Sequence, residues 1–238
     1  MTRANLLLKF ALASRECRRK YLFVVVLTIL PASHSAADEP FNLWESSIRS
    51  FEERDRKQPP QPGGVLFLGS SSIRLWDTAK AFPKEATINR GFGGSQIADS
   101  IHFADRIAIP YKPRMIVFYA GDNDIAVGKS AEQVLVDYKE FVGKIHAQLP
   151  ETRIAFVAIK PSPFRWKLFE RQQKANRLVE NYSNADKRLA YIDVVTPMLD
   201  ADGQPRGEFF QKDKLHLNEE GYKVWREVVG PFLKEERQ

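Results

Sequence analysis

Cysteine is nearly missing from the chain: of 238 residues only Cys17 carries a thiol, and it falls in a segment expected to be removed. A mature chain without cysteine has no disulfide, no thiolate nucleophile and no thiol for a lipid anchor, so its stability must come from an ordinary apolar core. Long apolar runs are scarce too. The run YLFVVVLTIL (21–30) is about half of the ~20 residues that a membrane-spanning helix needs, so no stable membrane anchor is expected. Positive charge is scarce after residue 37. The formal charge is +6, but Arg3, Lys9, Arg15, Arg18, Arg19 and Lys20 against Glu16 supply five of those charges. The near-neutral remainder has no basic run, which argues against a nucleic-acid partner. No Ser/Gly-rich linker or internal repeat divides the chain, so one domain is expected.

What is present begins with a basic stretch, the apolar run and PASHSAA (31–37). That order is the layout of a secretory signal peptide, which predicts export to the periplasm or outside the cell after cleavage near Ala37. Residues 38–64 read as an N-terminal helix and a Pro-rich lead-in. In FNLWESSIRSFEERDRK (41–57), Phe41, Trp44, Ile48 and Phe51 fall near one helical stripe, and QPPQPGG (58–64) stops the helix.

From residue 65 short apolar runs alternate with helical patterns. VLFLG (65–69), TINRGF (87–92), RMIVFYAG (114–121), RIAFVAIK (153–160) and LAYIDVV (189–195) read as strands, with helices near 72–80, 95–106, 130–148, 164–185 and 218–235. Runs with little polar interruption suit strands covered on both faces, and the alternation predicts an open α/β sandwich on a parallel sheet. In such folds ligands bind beyond the carboxyl ends of the strands. The polar groups that follow the strands are Ser70-Ser71-Ser72, Gly93-Gly94-Ser95, Asp122-Asn123-Asp124, Lys160-Pro161-Ser162 and, after a loop, Asp213 with His216.

These groups suit acyl transfer. A serine hydroxyl needs a base to take its proton, and His216 is the best placed of the four histidines. Asp213, three residues earlier, can hold the imidazole in its useful tautomer. The backbone N–H of Ser71, the N–H of Gly94 and the Asn123 amide would together make a three-donor oxyanion hole. Asn218 suits the cap of the last helix.

The blocks GSSSIRLW, INRGFGGS, YAGDND and DKLHLN, in that order over residues 65–235, resemble the four signature blocks of the SGNH hydrolases, the GDSL esterases and lipases. The resemblance implies a flavodoxin-like three-layer α/β/α sandwich with about five parallel strands over 65–238, and no metal or other cofactor. By position it makes Ser71 the nucleophile, Asp213 and His216 the other triad members, and Ser71, Gly94 and Asn123 the oxyanion hole. Two positions depart from the pattern: Ser70 stands where aspartate is usual, and Asp122 where a second glycine is often found.

Plainer roles are expected for several neighbours. Ser72 suits a helix N-cap. GFGGS lacks the spacing of a dinucleotide loop, and Asp122-Asn123-Asp124 does not continue as a calcium loop, so Asp124 is read as a loop brace. Lys160 and Arg165 are read as solvated charges over contacts to an anionic substrate, Phe164, Trp166 and Phe169 as helix packing over a lining for the acyl or sugar pocket, and His102 and His146 as ordinary helix residues. The expected activity is that of an exported serine esterase hydrolysing carboxylic esters of small molecules or carbohydrates through an acyl-enzyme, with O-acetylated carbohydrate the favoured substrate. The alternatives are a lysophospholipase or acyl-lipid esterase, an acyltransferase, and a non-catalytic carbohydrate-binding protein on the same scaffold. The oligomeric state is open.

Overall fold

The computed structural model of the chain describes residues 41–234. The expected signal peptide, its expected cleavage near Ala37 and Cys17 lie outside the described residues. Five strands, β1 (Val65–Gly69), β2 (Thr87–Gly91), β3 (Met115–Tyr119), β4 (Arg153–Val157) and β5 (Leu189–Ile192), pair in the order β2-β1-β3-β4-β5. Every pairing is parallel. The connections run away from the middle of the sheet in both directions, so the order reverses between β1 and β3 and leaves a crevice at their carboxyl ends.

Alternation along each strand feeds two apolar layers. Leu66, Leu68, Ile116, Phe118, Ile154 and Phe156 face α1 (Asn42–Lys57), α4 (Ile97–Ile107), α6 (Ala131–Gln148) and α7 (Phe169–Ser183). Val65, Phe67, Met115, Val117 and Val157 face the other side, where Trp225 and Val229 of α8 (Glu219–Lys234) close the layer. The result is the three-layer α/β/α sandwich with a five-stranded parallel sheet. Among the described residues no helix is long and apolar enough to cross a membrane.

The first helix docks on this body through its own stripe. Ile48 and Phe51 are buried, and Trp44 meets Phe92 edge-on at 5.8 Å between ring centres. Arg106 of α4 reaches Glu45 at 2.7 Å and Glu52 at 2.7 Å, and its hydrogen bonds hold the Glu45 carboxyl down at about 2.

Four local expectations are corrected. The stretch 72–80 is two single turns, α2 (Ser71–Arg74) and α3 (Thr78–Ala81), because Trp76 turns into the core and the Asp77 side chain starts a new helix by accepting the Lys80 N–H. Ser72 is therefore no N-cap: it sits inside α2, buried, and Ser70 occupies the cap position. An unexpected short helix, α5 (Asp122–Ala126), follows β3. The helix expected from 164 starts at Phe169, because Phe164 and Arg165 form a turn and Trp166–Leu168 a single 3-10 turn ahead of it.

Two positions hold the strand ends together. Gly69 has φ +139°, and a Cβ there would lie 1.9 Å from the Tyr119 carbonyl oxygen. Asp124, fully buried, accepts the Ile97 N–H at 3.3 Å and the Lys129 ammonium at 2.9 Å. It is the expected brace, and it ties α5 to the start of α4.

Two outcomes are expected. Gly69→Ala adds a backbone clash to an unfavourable φ, and urea denaturation should record a loss of about 3 kcal/mol. Lys129→Met leaves Asp124 buried without its cation, costing roughly 3 kcal/mol at neutral pH. Burial already raises the Asp124 carboxyl pKa. A folded-state value above the unfolded one subtracts stability as pH rises, and the missing cation enlarges that loss. The gap between wild type and variant in urea midpoint should therefore narrow as pH falls toward about 4.

Candidate active site

The crevice between β1 and β3 collects polar groups from four loops. Ser71 is the first residue of α2, directly beyond β1, where Ser70 N–H continues the ladder to Tyr119 O at 3.0 Å. This half-buried serine lies with its Oγ 3.1 Å from His216 Nε2.

The loop before α8 explains the Asp-x-x-His spacing. Asp213 Oδ1 accepts the backbone N–H groups of Leu215 and His216, both at 2.9 Å, which folds the chain back on itself. Its other oxygen, Oδ2, is then 2.6 Å from His216 Nδ1. With Nδ1–H donated to the carboxylate, the Nε2 lone pair faces the serine hydroxyl. Burial tends to raise the Asp213 carboxyl, but the hydrogen bonds from His216 and the two backbone N–H groups outweigh it and hold the pKa at about 2. The carboxylate is also 47% exposed, so water shares in solvating it. Asn218 caps α8 as expected, accepting the Gly221 N–H at 3.1 Å.

The expected hole donors lie on the segments that follow β1, β2 and β3. Among the described residues, no turn or loop hydrogen bond to a backbone carbonyl uses the N–H of Ser71 or Gly94. Gly94, at φ +81°, is exposed, and the Trp44 ring lies 3.1 Å from the place a Cβ would take. Asn123 Nδ2 donates to Ser95 O at 2.9 Å, which fastens the β3 loop to the glycine-rich turn. Ser71, His216 and Asp213 are thus joined in one chain of contacts that can activate a hydroxyl, and Asn123 is tied to the glycine-rich turn that carries Gly94.

Three readings of neighbouring residues are overturned. Lys160 is not a solvated charge: its side chain is 1% exposed at the end of β4, its ammonium 3.6 Å from Asp122 Oδ2 and 3.4 Å from the Tyr119 hydroxyl. Burial lowers its pKa. Arg165 is not solvated either. It pairs with Asp122 Oδ1 at 2.9 Å and donates to Asn123 Oδ1 from both terminal nitrogens at 3.1 Å. Phe164, read as packing, is 67% exposed, and its backbone N–H bonds Lys214 O beside the Asp213–His216 turn. Phe169 does pack, stacked on Trp166.

The buried cations left a partial trace in the sequence. Lys160 closes an apolar run, a costly place for a charge without a partner, and Asp122 is the partner. Nothing in the pattern pointed to Arg165 on the Asn123 amide, or to Trp44 against Gly94.

Comparison with known proteins accords with this geometry. The model of the GDSL-like lipase/acylhydrolase family matches residues 74–224. No curated protein matches the chain. Among solved structures, a Streptococcus pneumonia protein named for platelet activating factor superposes with a TM-score of 0.72 at 20% identity, over 84% of this chain and 100% of its own. A GDSL-like lipase from Bacteroides thetaiotaomicron gives 0.64 at 17% identity, over 82% and 97%. An acetyl-xylooligosaccharide esterase from Geobacillus Stearmophilus gives 0.61 at 12% identity, over 75% and 97%. Identities this low speak for the fold alone, whereas the family model spans more than half of the sequence. The chain belongs to the GDSL-like lipase/acylhydrolase family and is a carboxylic ester hydrolase.

Proposed function

We propose that the protein hydrolyses short-chain esters, acetyl esters of carbohydrates foremost, through an acyl-enzyme on Ser71. The observation that carries this reading is the unbroken chain from Asp213 Oδ2 through the His216 ring to Ser71 Oγ, with links of 2.6 and 3.1 Å.

The steps follow from those contacts. His216 Nε2 takes the Ser71 proton as Oγ attacks the ester carbonyl, and Asp213 stabilises the imidazolium that forms. The tetrahedral oxyanion meets the N–H groups of Ser71 and Gly94 and the Asn123 amide. His216 then gives its proton to the leaving alkoxide, and the alcohol departs. Water attacks the acyl-enzyme with His216 again as base, the acid leaves, and Ser71 regains its proton.

Two features support a short acyl group on a sugar. The Trp44 ring beside Gly94 narrows the crevice next to the glycine donor. Phe164 offers an exposed aromatic face beside the Asp213–His216 turn, the kind of surface on which a sugar ring stacks. The likeness in fold to an acetyl-xylooligosaccharide esterase is in keeping with that choice. The basic, apolar and small-residue order of residues 1–37 supports action outside the cytoplasm.

Ser71→Ala should lower kcat on p-nitrophenyl acetate by at least about 10⁴-fold with the fold intact by circular dichroism. Asp213→Asn should cost less than Ser71→Ala, because water already shares in solvating this carboxylate. Held at about 2, Asp213 should add no inflection to kcat/KM between roughly pH 4 and pH 9. A serine variant that kept wild-type turnover would end the acyl-enzyme reading.

Across p-nitrophenyl esters from acetate to palmitate, activity should be greatest on acetate. Phe164→Ala should raise KM for an acetylated oligosaccharide severalfold and leave p-nitrophenyl acetate unchanged. Activity that rises with chain length would instead make the protein an acyl-lipid esterase.

A further inference from the structure

We propose that Arg165 is a positioning residue of the oxyanion hole. Its guanidinium, pinned by buried Asp122, fixes the Asn123 amide with Nδ2 toward the reacting carbonyl and strengthens that N–H as a donor. The inference rests on the reading of Asn123 as a hole donor.

The geometry is specific. A side-chain amide has an acceptor end and a donor end, and here both are claimed. Asn123 Oδ1 accepts from two nitrogens of Arg165, each at 3.1 Å, while Nδ2 donates to Ser95 O at 2.9 Å. Rotating the amide by half a turn would set N–H groups against a guanidinium and one oxygen against another, so a single orientation survives. An amide nitrogen carries two hydrogens, and Ser95 takes only one. The second is left for the oxyanion. A permanent cation on the amide oxygen also draws electron density from the nitrogen, which makes the remaining N–H a stronger donor.

Arg165 is itself held. One terminal nitrogen serves both Asp122 Oδ1, at 2.9 Å, and Asn123 Oδ1. Asp122 Oδ1 also accepts from Gln172 Nε2 at 2.9 Å, and its Oδ2 faces the Lys160 ammonium. The Asp122 side chain is 6% exposed and that of Arg165 15%, so a geometry set here is poorly screened by water. Asp122 stands where the family pattern often has glycine. A glycine at that position would leave the guanidinium without its anchor.

The test is a double-mutant cycle on p-nitrophenyl acetate with the full chain: wild type, Arg165→Met, Asn123→Ala and the pair. Arg165→Met should lower kcat about tenfold or more, leave KM within about twofold and keep the acid limb of the pH profile at its midpoint. In the Asn123→Ala background the same change should move kcat by less than about twofold, because the amide it positions is gone. Arg165→Lys keeps the charge for Asp122 but not the two-nitrogen contact. It should restore Tm while recovering only part of kcat, and it carries the cycle if the methionine variant does not fold. Effects that multiply in the double variant, a loss that falls on KM, or full recovery of kcat by lysine would overturn the proposal. Unchanged kcat in Asn123→Ala would remove Asn123 from the hole, a failure of the wider reading that takes the role of Arg165 with it.

Discussion

Everything at the site hangs from the backbone contact between the carboxyl ends of β1 and β3, where Ser70 N–H reaches the Tyr119 carbonyl at 3.0 Å. That bond carries the ladder one residue past β1 and turns the chain into α2 with Ser71 at its first position. Gly69 permits it, since any side chain there would strike Tyr119. The Gly69 carbonyl is engaged on the other side by Phe92 N–H at 2.9 Å, so the turn after β2 is hung from the same point. From there Asn123 reaches Ser95, and Asp124 reaches Ile97. Three loops remote in sequence are therefore tied by bonds to peptide groups, a firmer reference than contacts between side chains.

Two carboxylates near this frame illustrate how environment sets role. Asp213 is half in water, strongly hydrogen-bonded and firmly anionic, which suits a group that must balance an imidazolium for a moment. Asp124 is fully enclosed, and burial works against its charge, so it needs Lys129 at all times. The first can be exposed because its partner, His216, lies only three residues on in the same tight turn. The second holds together segments 27 residues apart, and burial keeps that tie from being loosened by water.

Much of the architecture was legible because the strands are buried on both faces and so appear as plain apolar runs. The strand-end polar groups followed from that, and with them Ser71, Gly94, Asn123, Asp213 and His216 as one set. Less legible was whatever depended on a partner far away in sequence. Ser72 read as a cap because a serine after a strand usually is one, yet the turn begins a residue earlier, at Ser70. Lys160 and Arg165 read as surface charges because composition says nothing of Asp122 waiting beneath them. The helix expected from 164 begins later for a local reason, the turn at Phe164–Arg165 and the 3-10 turn at Trp166–Leu168, which a local pattern does not separate from α-helix. Phe164 read as packing because an exposed aromatic and a core aromatic look alike in a sequence.

The helix α1 lies wholly upstream of the segment, residues 74–224, that carries the family match. Yet its Trp44 stands against Gly94, and its acids grip Arg106 on α4. The wall beside Gly94 is thus built by a helix that supplies none of the residues of the Asp213–His216–Ser71 chain. A wall of this kind can drift in sequence without touching any hydrogen bond of the Asp213–His216–Ser71 chain. A change of that one aromatic side chain, Trp44, would reshape the space beside Gly94 and leave the contacts among Asp213, His216 and Ser71 as they are.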